Sequence, residues 1–89
     1  MDTKEINEIE DKCLRIVAEV LGLKDRDVLP TSNFKDDLGA DSLDAVDIII
    51  KTENSFDIAL QEGEADNVET VNDYIELVLK KVSETGGTE

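Results

Sequence analysis

Apolar residues in the first part of the chain recur at helical intervals: Ile6, Ile9, Cys13, Ile16, Val17, Val20 and Leu21. The spacing predicts one amphipathic helix over residues 3–21, with its apolar stripe turned toward a core. Asp2 followed three residues later by Glu5 reads as a capping box, and Gly22 stands where a helix terminator belongs. The periodicity then lapses over residues 22–41, which hold the only proline, Pro30. A structureless connection of about twenty residues is unusual in a compact domain. Val28, Leu29, Phe34 and Leu38 are therefore expected to pin it to the core, with residues 35–38 as a short helical turn. So long a crossover implies two roughly parallel helices, not a hairpin.

A second helix is expected from about Ser42 to Phe56. Setting successive residues about 100° apart separates two apolar stripes on it. Ala45, Ile48, Ile49, Thr52 and Phe56 form the core-facing sector. Leu43, Val46 and Ile50 fall roughly opposite, beside Asp47 and Asn54. A domain of 89 residues cannot bury both stripes through one helix face. Leu43 and Val46 are then either flanking core or part of an exposed strip for docking a partner, rimmed by acidic residues. Residues 57–70 contain Gly63 and many carboxylates, leaving room for at most a short helix near 64–67. Thr70 caps a last helix built on Val71, Tyr74, Ile75, Val78, Leu79 and Val82, with Asp73 near its positive end and Lys80 and Lys81 near its negative end. The fold class is all-α: a small four-helix bundle of three main helices and one short one, with a long loop between the first two. Residues 1–82 form the domain, and residues 83–89, with Gly86-Gly87, are expected to be a disordered tail.

Charge narrows the partners. Asp and Glu total 23 against 9 Lys and Arg, a formal charge of -14. Such a surface repels nucleic acid and anionic membranes, and it favours proteins with basic patches. So much charge with few aromatics raises the question of disorder, but 39% hydrophobic residues in regular helical spacing argue for a folded domain. The lone Cys13 has no internal disulfide partner, and its place on the apolar face suits a structural thiol. The absence of histidine excludes catalytic triads and histidine metal sites. A calcium loop centred on Gly39 fails because Phe34, Leu38 and Ala45 would fall at ligand positions. Carboxylate pairs are many, but nothing in the sequence sets two of them in a pocket, so a solvated acidic face is the better reading. There is no apolar run of transmembrane length, and the acidic N-terminal segment resembles neither a signal nor a transit peptide. A cytoplasmic protein is the expectation.

One segment carries specific chemistry. Asp37-Leu38-Gly39-Ala40-Asp41-Ser42-Leu43-Asp44 sets a serine where a loop ends and an apolar-periodic segment begins. It resembles the phosphopantetheine attachment motif of acyl carrier proteins, whose core reads Asp-Ser-Leu. Phe34 and Phe56-Asp57-Ile58 extend the likeness, which covers roughly residues 4–82. The resemblance implies a carrier and not an enzyme, with no catalytic residue and no metal. Ser42 would hold 4′-phosphopantetheine from coenzyme A, flanked by Asp41 and Leu43. Asp41, Leu43, Asp44, Val46, Asp47, Ile50 and Glu53 would meet partners: a phosphopantetheinyl transferase, and acyl-transfer, condensing and tailoring enzymes with basic patches. The protein would be a monomer carrying acyl thioesters in fatty acid or related specialised lipid synthesis. Carriage of polyketide or aminoacyl units, or service as an unmodified acidic interaction module, are the alternatives. Thr52 departs from the family, which usually has a large aliphatic residue at this place, and suggests an underfilled core. Its hydroxyl is in reach of the Ile48 carbonyl one turn back. Lys51 adds a positive charge beside the exposed strip, and the chain lacks the proline often found after Ile58. Both changes suit a dedicated set of partners.

Overall fold

A computed structural model describes residues 2–61 and 63–85. Three helices carry the fold: α1 (Thr3–Leu21), α2 (Ser42–Phe56) and α3 (Val71–Thr85). The helix α1 packs against both of the others. Its start is the expected capping box: the Glu5 amide donates to Asp2 at 2.9 Å, and the Glu5 carboxylate takes the Asp2 amide at 3.5 Å. Its end is Gly22 in the left-handed region, at φ 70°, which a side chain would strain. Cys13, Ile16, Val17 and Ala18 are buried on one face and meet Ile48 of α2 and Val71, Tyr74, Ile75 and Val78 of α3. The core is built mainly of β-branched aliphatic residues, with one tyrosine among them.

The long connection is ordered by its own hydrogen bonds. A 3-10 turn at Asp25–Asp27 is the short helical element of the fold, while residues 63–67 form successive turns and not a helix. Val28 is buried as expected, and Phe34 and Leu38 pack against the core. Leu29 does not: it is exposed, with the Leu29–Ser32 turn holding its backbone at the surface. Neighbouring residues in extended backbone point to opposite sides, so Val28 and Leu29 could not both face inward. Three backbone hydrogen bonds then tie the connection to the start of α3: Val71 to Ser32, Asn72 to Pro30, and Phe34 to Glu69. The loop is thus a strap across the bundle.

At its far end α3 runs through Thr85, three residues past the expected boundary at residue 82. No helix breaker precedes Gly86, and Lys81 pairs with Glu84 one turn on, at 3.6 Å. Residues 86–89 of the expected tail lie outside the described residues. The start of α3 matches the sequence. The Asp73 amide donates to the Thr70 hydroxyl, and the Asp73 carboxylate accepts the Thr70 and Glu69 amides, each at 3.1 Å. These donors hold its carboxyl below the usual aspartate range.

Candidate functional site

Residues 33–40 wind into a tight ring that delivers the chain to α2. The Asn33 side-chain oxygen accepts the Lys35 and Asp36 amides, and the Asn33 amide donates to Asp37 at 2.7 Å. The Ala40 amide closes the ring on the Phe34 carbonyl at 2.8 Å. Gly39 supplies the left-handed residue that the ring needs, at φ 70°.

Asp41 then caps α2. Its carboxylate accepts the Asp44 amide at 2.9 Å, and Asp44 returns the favour by accepting the Asp41 amide at 3.2 Å. This arrangement leaves Ser42 at the first helical position with no capping duty. Ser42 is exposed, and among the described residues its hydroxyl has no hydrogen-bond partner. The first turn of a helix favours a phosphate group, by about 0.3–1 kcal/mol on an exposed surface. Asp41 and Asp44 work against that through repulsion, so the position suits a covalently held phosphodiester better than a free anion.

The two stripes of α2 separate as the 100° rule requires. Ile48 and Thr52 are buried, and Phe56 packs at the edge of the core with the Lys12 ammonium 5.2 Å from its ring centre. Leu43, Val46 and Ile50 are 75%, 51% and 48% exposed. Asp47 is exposed beside them, whereas Glu53 is half-buried and accepts the Leu60 amide at 2.8 Å. Glu53 therefore braces the segment that follows α2, a structural role that the sequence did not suggest. Lys51 lies 3.7 Å from Glu19, with both side chains about half exposed or more, and a pair in that setting adds little stability.

Beside Ser42 lies a cavity of about 150 Å³. Asp41 and Ala45, which bracket Ser42 on the chain and one turn on, both line it. Ile48 and Ile49 of α2 and Tyr74 and Leu77 of α3 form its walls, and Phe34 closes one side. Ala45 faces this space and remains exposed, although the sequence placed it in the core sector. Leu60, Ala65, Val68 and Leu77 also line the cavity and were not singled out by the sequence. Leu77 stands three residues after Tyr74, just outside the main stripe of α3, and that spacing was the one available signal.

Thr52 contradicts the expectation of an underfilled core. It is fully buried, its hydroxyl lies 2.6 Å from the Ile48 carbonyl, and the Tyr74 hydroxyl is 2.7 Å away on its other side. A carbonyl can only accept, so Thr52 donates to Ile48 and the Tyr74 phenol must donate to Thr52. Burial pushes the Cys13 thiol up to about 12 and the Tyr74 phenol well above its ordinary value. Both groups stay protonated, Cys13 as a buried structural thiol and Tyr74 as the hydrogen-bond partner of Thr52.

The comparisons with known proteins agree with this geometry. The family described as "phosphopantetheine attachment site" matches residues 11–78. The acyl carrier proteins of Chlorobium phaeovibrioides and Chlorobium luteolum are each 40% identical over 74 residues, covering 83% of this chain and 95% of theirs. That of Chlorobium phaeobacteroides is 38% identical over the same span.

Proposed function

The chain belongs to the phosphopantetheine-attachment family of acyl carrier proteins, and on that premise we propose that Ser42 is its attachment residue and that its cargo is acyl chains of fatty acid or related specialised lipid synthesis. Members of this family are carriers, not catalysts; their prosthetic group is 4′-phosphopantetheine, and their partners are a phosphopantetheinyl transferase and acyl-handling enzymes. When bound, the group supplies a thiol that holds an acyl chain as a thioester.

One observation carries the assignment of Ser42. Its exposed hydroxyl, without a hydrogen-bond partner among the described residues, lies between Asp41 and Ala45, and both of these line the cavity. Asp41 and Asp44 hold the helix start rigid through their mutual cap, which keeps the serine presented in one orientation. The walls of the cavity exclude water from an acyl chain that enters it. Among the described residues no helix is long and apolar enough to cross a membrane.

Leu43, Val46 and Ile50 form the docking strip in this reading, with Asp47 as the charge that steers a basic partner surface toward it. Replacing Ile50 by serine slows transfer to partner enzymes about tenfold or more, the equivalent of a hot-spot contact above 1 kcal/mol. It leaves the urea midpoint nearly unchanged, because a side chain about half exposed leaves no closed cavity behind. Asp47→Asn lowers the association rate, with the loss shrinking as salt rises. An unfolded Ile50→Ser variant, or unchanged rates in both variants at low salt, places the docking face elsewhere. The cargo is tested by isolating the protein from its native cells and weighing what is attached. A saturated or hydroxylated acyl chain supports lipid synthesis, while an aminoacyl or polyketide group contradicts it.

A further inference from the structure

We propose that the hydrogen-bonded pair Thr52–Tyr74 bolts shut the floor of the cavity and limits the acyl chain this carrier can shelter to about six carbons. The inference rests on the attachment of acyl cargo at Ser42 and goes on to name the cargo size. An apolar cavity of about 150 Å³ takes a molecule the size of benzene, and this cavity has that volume. A longer chain entering from the Ser42 end must push past Tyr74, whose ring stands edge-on to Phe34 with centroids 5.9 Å apart. Tyr74 lines the cavity, whereas Thr52 and Cys13 behind it are wholly buried and do not.

Moving the Tyr74 ring requires breaking its hydroxyl bond to Thr52 at 2.7 Å. The displaced phenol would find mostly apolar side chains or a hydrocarbon tail in exchange, with Lys35 and Asp41 the charged residues of the lining, and burying an unpaired hydroxyl is unfavourable. The rotation of Thr52 is fixed in turn by its 2.6 Å bond to the Ile48 carbonyl. A space that would otherwise adapt to the tail thus has one wall anchored to the helix backbone. Leu or Ile in place of Thr52 would give no such anchor, and the wall would move with the cargo. Thr52 then acts as a device for cargo selection.

The test uses the full chain, loaded by a phosphopantetheinyl transferase with acyl-coenzyme A of four, six, eight, ten and twelve carbons. Cleavage of each thioester by hydroxylamine then reports how far the chain is withdrawn from solvent. Each buried methylene slows cleavage by up to about fourfold. The wild type gains protection up to about six carbons and none beyond. Tyr74→Phe keeps the ring but removes the bolt, and its protection continues to rise through eight or ten carbons. Thr52→Val/Tyr74→Phe, which leaves neither hydroxyl behind, shows the same extension and supplies the comparison if the single variant folds poorly. Protection that climbs steadily to twelve carbons in the wild type overturns the proposal, as does a limit unmoved in both variants. Equal cleavage at every length, on protein that loads normally, overturns the sheltering alone. Failure to load any acyl group instead overturns the attachment on which the inference rests.

Discussion

Ser42→Ala abolishes incorporation of a coenzyme A-derived label while the helical circular dichroism signal stays as in the wild type. The reason is the division of labour at the start of α2. Asp41 is the residue that caps the helix, and Asp44 completes the box. Ser42 occupies the first helical position, where its hydroxyl holds no other group among the described residues. Removing it avoids the 0.5–2 kcal/mol loss typical of a cap, and alanine is the better helix former by up to about 0.5 kcal/mol. No other serine in the described residues substitutes for it. The Ser32 hydroxyl is buried and accepts the Leu29 amide. Ser55 and Ser83 lie near the far ends of their helices, away from the cavity. Label bound by the alanine variant at any position contradicts the assignment.

Thr52→Leu destabilises the domain by about 3 kcal/mol, read as a fall in the urea midpoint. The leucine side chain is larger than the threonine it replaces and enters a position with no exposed surface, and overpacking of that kind costs about 1–3 kcal/mol. It also strips the Tyr74 phenol of its acceptor, which costs about 1–3 kcal/mol for a buried hydroxyl. Thr52→Val keeps the volume and loses only the hydroxyl, so it falls by about 2 kcal/mol. Adding Tyr74→Phe to Thr52→Val recovers part of that loss, because two apolar partners leave less unsatisfied than one. A Thr52→Leu variant more stable than the wild type would show that the hydroxyl pair contributes nothing and that the core is underfilled after all.

The reversal at Thr52 marks where the sequence stopped being readable. Helix positions follow from local periodicity and caps, so Asp2 and Gly22 announce both ends of α1, and Thr70 and Asp73 the start of α3, without any knowledge of the fold. The exposure of Leu43, Val46 and Ile50 follows from the same angular reasoning applied to α2. Pairing across helices is another matter. Thr52 and Tyr74 lie 22 residues apart, and only the packing of α2 and α3 beside α1 brings their hydroxyls together. The bond from Thr52 to Ile48 was legible because it joins residues four apart on one helix; the bond to Tyr74 was not. The bracing role of Glu53 was illegible for a related reason, since its partner, the Leu60 amide, sits in a segment without periodicity. Leu29 shows the limit of composition as a guide. An apolar residue in a loop is buried only if the backbone turns it inward, and the Leu29–Ser32 turn does the reverse. The cavity is the least legible feature, since its walls come from both helices and two loops, with three alanines leaving the space between larger residues.

This acidic bundle acts as a carrier only if Ser42 accepts a phosphopantetheine arm. Intact mass of the wild-type chain, taken before and after incubation with coenzyme A and a phosphopantetheinyl transferase, tests it most directly, with the modified peptide then sequenced by fragmentation. The mass is expected to rise by a single phosphopantetheine group, located on Ser42. A chain of unchanged mass under conditions that modify another acyl carrier protein, or a group found on a different residue, contradicts it and leaves an acidic interaction module as the better description.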